Sequence, residues 1–190
     1  MEYTGNEQHF RKEVRKLYKT ARKRAGLTIE EAAFRCYISA RTLCKYESGE
    51  NMPPPEVVLA MSRAYGIPWM TQMYCRNSCA IGEAYSYEVL TGVNLDPASV
   101  MLKLVGELKE AQGVLNRMLE LAVNKNARED FSQVEWAEFV KHLQEFMDVE
   151  HNIEVLKISL GHWCDVSELI QMHNRKCIDR GYVDRKKAAV

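Results

Sequence analysis

LTIEEAAFRCYISARTLCKYESGE, residues Leu27–Glu50, decides how the rest of the chain is read. It predicts two short helices with a tight turn between them. Thr28 is placed to cap the first helix: its hydroxyl accepts from a free backbone N–H, and Glu31 three positions on completes a capping box. This helix is expected to end near Cys36. Ser39 is placed to cap the second, which is expected to reach Ser48. Gly49 then supplies the left-handed residue that stops a helix at low cost. Two helices of two to three turns, separated by about three residues, must cross steeply. Ala32 and Ala33 are small enough to let the second helix come close. Ile38 and Leu43 have the spacing to pack back onto the first.

Upstream, a helix is expected over Arg11 to Arg24, with Val14, Leu17, Tyr18 and Ala21 forming one buried stripe at helical spacing. Arg11, Lys12, Arg15, Lys16, Lys19, Lys23 and Arg24 make the rest of its surface basic. Downstream, Pro53, Pro54 and Pro55 forbid helix before them and favour the first turn of one after them. That fourth helix is expected to run to Tyr65, burying Val58, Leu59, Met61 and Ser62, and to stop at Gly66. A fifth, from Pro68 to Arg76, offers Trp69, Met70 and Met73 to the core. Residues 79–95, with two glycines and weak periodicity, read as a linker holding at most one short helix at Glu83 to Leu90.

The back half is patterned for long helices. Asp96 is a cap followed by Pro97 at a first helical position. Leu104, Leu108, Ala111, Leu115, Met118 and Ala122 then step by four and three residues, a heptad seam. Residues 124–130 are polar and end that helix. Ser132 and Glu135 form a second capping box, opening a helix with Trp136, Phe139, Leu143, Phe146 and Leu156 on it. Two such helices joined by a short loop make an antiparallel hairpin. Leu104, Leu108, Leu115, Met118, Phe139, Leu143 and Phe146 are the candidate dimerisation residues, since an isolated hairpin would expose too much apolar surface. A last helix is expected after Asp165, to about Cys177, followed by a basic tail with Arg185, Lys186 and Lys187.

Residues Val14 to about Met70 resemble the Cro/cI-type helix-turn-helix domain of phage and plasmid repressors, the XRE family. The landmarks are the ARKRAGLT run at Ala21–Thr28, Ala33, Ile38-Ser39, Leu43, Glu47-x-Gly49, Pro53 and the AYGI run at Ala64–Ile67. The resemblance implies an all-α fold, a five-helix domain followed here by the long hairpin, and binding to operator DNA as a dimer. It implies that Ala40, Arg41 and Lys45 face base edges in the major groove. Arg41 is suited to the O6 and N7 of guanine, and Ala40 to a thymine methyl. Arg41 gripping phosphate instead remains open. Thr28, Ser39, Thr42 and Tyr37 are the candidate contacts to the DNA backbone. Arg22 and Glu47 are implied to pair across the two ends of the motif. Two positions depart from the family. Ile29 stands where a glutamine often grips the backbone, and Tyr37 stands where glycine usually takes a positive φ.

Charge agrees with this polarity. Residues 1–78 hold 13 Lys+Arg against 8 Asp+Glu, and residues 79–190 hold 13 against 18. A basic front and an acidic back suit a protein that docks one end on a polyanion. No apolar run approaches the length of a membrane span, and the N-terminal stretch has no apolar signal region. A cytoplasmic location is expected, with six reduced cysteines. Cys75 and Cys79, at i and i+4, are candidate metal ligands only if His162 and Cys164, or His173 and Cys177, complete a site. Inert thiols are the alternative, and no cofactor is expected. No catalytic motif is present. The chain thus divides into a DNA-binding domain (1–78), a linker (79–95) and a helical dimerisation or interaction region (96–190). The expected function is a dimeric repressor on a pseudo-palindromic operator. The rival is a protein-interaction module or antitoxin whose C-terminal helices bind a partner protein.

Overall fold

The computed structural model describes residues 17–90, 92–161 and 163–183. The start of the first helix at Arg11, Val14 of its stripe, the basic residues from Arg11 to Lys16, His162, and the tail from Asp184 lie outside the described residues. Among the described residues the only regular structure is helix. The chain divides into two compact units, Met1–Thr91 and Gly92–Val190.

The first unit holds α1 (residues 17–24), α2 (Ile29–Arg35), α3 (Ala40–Ser48), α4 (Pro55–Tyr65), α5 (Met70–Ser78) and α6 (Ala80–Tyr85). Thr28 and Glu31 close the capping box on α2, and the Ser39 side chain accepts from Thr42 N–H at the start of α3. Pro55 opens α4, and Gly49 and Gly66 end α3 and α4 in the left-handed conformation. The core is built around Tyr18, Leu43, Met61 and Met70, each 1% exposed or less, with Ala32 and Ala33 allowing the close approach of α2. In α4 the buried set is Val57, Val58, Met61, Ser62 and Tyr65, and Leu59 is exposed. The reason is rotational: residues 58, 61, 62 and 65 share one helical face, and Leu59 points about 100° away.

The stretch expected to be linker is partly structured. α6 packs on α5, and starts three residues before the expected Glu83. Arg76 fastens it. Its Nη1 donates to the Glu83 carbonyl at 2.7 Å, and its Nε and Nη2 donate to Glu88 at 3.1 and 2.8 Å. A β-carbon built on Gly82 would lie 2.0 Å from the Cys75 carbonyl oxygen, so this glycine serves a close backbone approach.

The second unit holds α7 (Pro97–Ala122), a 3₁₀ turn (Arg128–Asp130), α8 (Gln133–Leu160) and α9 (Val166–Asp179). Asp96, Ser132 and Asp165 cap the three α-helices through their side chains. α7 and α8 form an antiparallel hairpin. Asn152 donates to Glu107 at 3.2 Å, and near the loop Arg117 grips Glu138 with two bonds of 2.7 and 3.0 Å. Asn124 turns the chain out of α7 at a positive φ, a conformation asparagine tolerates. In the loop, the Asp130 carboxylate accepts from the backbone of Asn126 and Ala127, which holds its pKa below the usual carboxylate value.

The expected heptad seam is split. α7 buries Val100, Ala111, Met118 and Leu121, with Leu104 and Val114 half-buried beside them, whereas Leu108 and Leu115 are exposed. Leu104 and Met118, expected at a dimer interface, therefore belong to the hairpin's own core. α7 is apolar over a wide arc, so rows one residue apart both satisfy the spacing.

Candidate nucleic-acid interface

The interface is built on α3. Its first turn carries the exposed Arg41 and no acidic residue, so a cation adds to the positive end of the helix dipole there. Ser39 and Thr42 share one proton between their hydroxyls at 2.7 Å, leaving the other available to a phosphate oxygen. Arg41 is exposed, and Ala40 is half-buried against the core. Lys45, one turn along, is half-buried and donates to Glu50 at 2.7 Å.

α3 is locked to the scaffold by a buried ion pair. Arg22 on α1 donates from Nε to Glu47 Oε1 at 2.6 Å and from Nη2 to Oε2 at 2.9 Å. Its Nη1 donates to the Leu27 carbonyl at 2.9 Å, so one guanidinium ties α1, the following loop and the end of α3 together. The bonds to Glu47 push the Arg22 pKa further up. Both side chains are almost wholly buried, so each charge depends on the other to remain there.

The turn before α3 passes through Tyr37 at φ 57°. Tyr37 N–H bonds the Phe34 carbonyl and Ile38 N–H bonds the Ala33 carbonyl, a Schellman ending. α1, α4 and α9 end in the same pattern, through Gly26, Gly66 and Gly181. At Tyr37 the backbone keeps the glycine geometry although the residue has changed. The Tyr37 side chain is 93% exposed.

A pair of short helices in contact across a tight turn, a capped second helix with an exposed arginine in its first turn, and a buried pair holding its far end coincide with a match to a protein family. Residues 19–70 match the model of the helix-turn-helix family. Residues 19–70 are a helix-turn-helix domain of the Cro/cI type. This is a DNA-binding kind of domain. No curated protein and no solved structure matches the chain.

Within the helix-turn-helix domain, Arg41, Ser39, Thr42 and Tyr37 lie on or beside the exposed N-terminal end of α3. Thr28 is differently placed. Its backbone N–H and its hydroxyl both donate to Glu31 Oε2, at 2.8 and 2.9 Å. These two bonds hold the Glu31 pKa down. The hydroxyl proton of Thr28 is thus committed to the cap. Glu50 has no place in the sequence reading. Its approach to Lys45 depends on how the chain turns at Gly49, which residue spacing does not give.

Of the cysteines, Cys36 is buried in the core, where desolvation pushes its thiol pKa up. Cys44 and Cys75 are exposed, and Cys79 is half-buried at the junction of α5 and α6. On α9, Cys177 Sγ lies 3.4 Å from His173 Nε2. Among the described residues no three His, Cys, Asp or Glu side chains gather as a metal site would require. No helix among them is long and apolar enough to cross a membrane.

Proposed function

We propose that the protein is a cytoplasmic, dimeric transcription repressor that reads a pseudo-palindromic operator through α3. The observation that carries this reading is the exposed Arg41 in the first turn of a helix held rigid by Arg22 and Glu47. Arg41 reads a guanine in each half-site, Lys45 exchanges its bond with Glu50 for a base or phosphate one turn further in, and Ser39 and Thr42 hold the backbone. One domain makes too few base contacts for tight specific binding, so two half-sites a helical turn or a multiple apart are engaged together. Repression follows from occupying promoter DNA.

The test is selection of sites from a random duplex pool at fixed near-physiological salt, with the wild type and Arg41→Ala. The wild type is expected to enrich an inverted repeat. The variant is expected to lose a guanine in each half and about 1–3 kcal/mol per half-site. Failure of the folded wild type to enrich any sequence would overturn the reading, and the C-terminal helices would become the candidate surface for a protein partner.

A further inference from the structure

α7 carries a second apolar row beside the one that packs on α8. Met101, Val105, Leu108, Gln112, Leu115 and Leu119 step by four and three residues, each one position beyond the hairpin-facing row. The five apolar members are between 42% and 56% exposed. α8 repeats the pattern. Glu138 and Asn152 face α7 through their bonds to Arg117 and Glu107, and the row one residue beyond that face is Phe139, Leu143, Phe146, Glu150 and Ile153, of which Ile153 is 42% exposed and the other three apolar members are half-buried. One residue forward is a rotation of about 100°. The helices run in opposite directions, so the same forward step turns them in opposite senses viewed from one end. Both rows therefore emerge on the same side of the hairpin.

We infer that this two-helix face is where a second copy of the chain docks, closing a four-helix bundle. Met101 to Leu119 spans about 27 Å, and two adjacent helices make the face about 20 Å wide. That is on the order of 500 Å² per copy and about 1,000 Å² for a pair, at the lower limit of a specific interface and toward the upper end of the apolar patch a soluble monomer commonly leaves uncovered. α9 is a single helix of 14 residues, about 21 Å long, too short and too narrow to cover it. A second hairpin has the same width and length. The α7 row carries no charge, and its one polar member, Gln112, sits near the middle, where a single polar residue in an apolar seam sets register and partner number.

This deepens the dimeric reading above by naming the pairing surface, and it is tested without DNA, so a failure of operator binding cannot be mistaken for its failure. Sedimentation equilibrium on the full chain compares the wild type with Leu108→Glu/Leu115→Glu and with Leu102→Glu, whose leucine is 74% exposed but off the row. The wild type and Leu102→Glu are expected to be dimers. The double variant is expected to keep its helical circular dichroism while its dimer dissociation constant rises about 100-fold or more. A monomeric wild type, a dimer that survives the double substitution, or equal loss with Leu102→Glu overturns the inference. If the double variant loses its helical signal, Leu115→Gln alone, at a position already exposed, is measured in its place. It must weaken the dimer for the inference to stand.

Discussion

Tyr37 is the residue whose chemistry disagrees most with its backbone. A left-handed conformation brings Cβ against the following carbonyl and costs an ordinary L-residue about 1–2 kcal/mol. Glycine removes that cost but gives back about 0.5–1 kcal/mol through its freer unfolded chain. With the tyrosine ring in solvent there is little contact to lose. Tyr37→Gly is therefore expected to stabilise the protein by about 0.5–1 kcal/mol in urea unfolding. A loss of stability would show that the ring makes a contact worth more than the strain. The capping partners were legible in the sequence, because each depends on residues within a few positions of one another, whereas the strain at Tyr37 was visible only because the family usually has glycine there. The Arg22–Glu47 pair is 25 positions apart and became visible only through the family pattern. The bond between Lys45 and Glu50 is set by the side-chain directions on either side of a turn, and nothing in the residue order announces it.

At the level of elements, sequence periodicity gave helices and their ends more reliably than it gave their facing. α7 and α8 begin at the expected capping residues, because a cap is a local hydrogen bond between named groups. Which row of α7 turns inward is a relation between two helices, and a helix with adjacent apolar rows leaves it undetermined. α6 was expected at Glu83 to Leu90 and lies instead at Ala80–Tyr85, for a different reason. A glycine inside a short segment reads as a breaker, whereas Gly82 is there to let α6 lie against the backbone of α5. The Cys75 carbonyl cannot move aside as a flexible side chain would, so Gly82→Ala must push α6 away from α5. The expected cost is about 1–3 kcal/mol, the range for overpacking, with increased proteolytic sensitivity confined to residues 79–90. Unchanged thermal stability would mean that α6 is displaced at no cost and contributes little to the first unit.

For the whole molecule, the division between residues 91 and 92 separates two compact units, to which the proposed reading gives two tasks, DNA reading and pairing. The first unit has a closed core drawn from α1 to α5, with Tyr18, Leu43, Met61 and Met70 buried inside it. A fragment of residues 1–91 is expected to fold cooperatively on its own. It keeps α3 with Arg41, Lys45 and the basic surface, so its binding to random duplex DNA persists and weakens as salt rises. Operator binding is different. Two linked domains meet the second half-site as an effectively intramolecular event, and losing the linkage forfeits about 10²–10⁴-fold in affinity without removing a single DNA contact. The fragment should therefore show a shallow, weak titration on the selected inverted repeat, where the full chain shows a tight one. The full chain carrying Leu108→Glu/Leu115→Glu should titrate like the fragment, since both retain the reading helix and lack the pairing face. If the fragment bound the operator as tightly as the full chain, pairing would have to arise within residues 1–91, and the hairpin would have to act on something other than a second copy of itself.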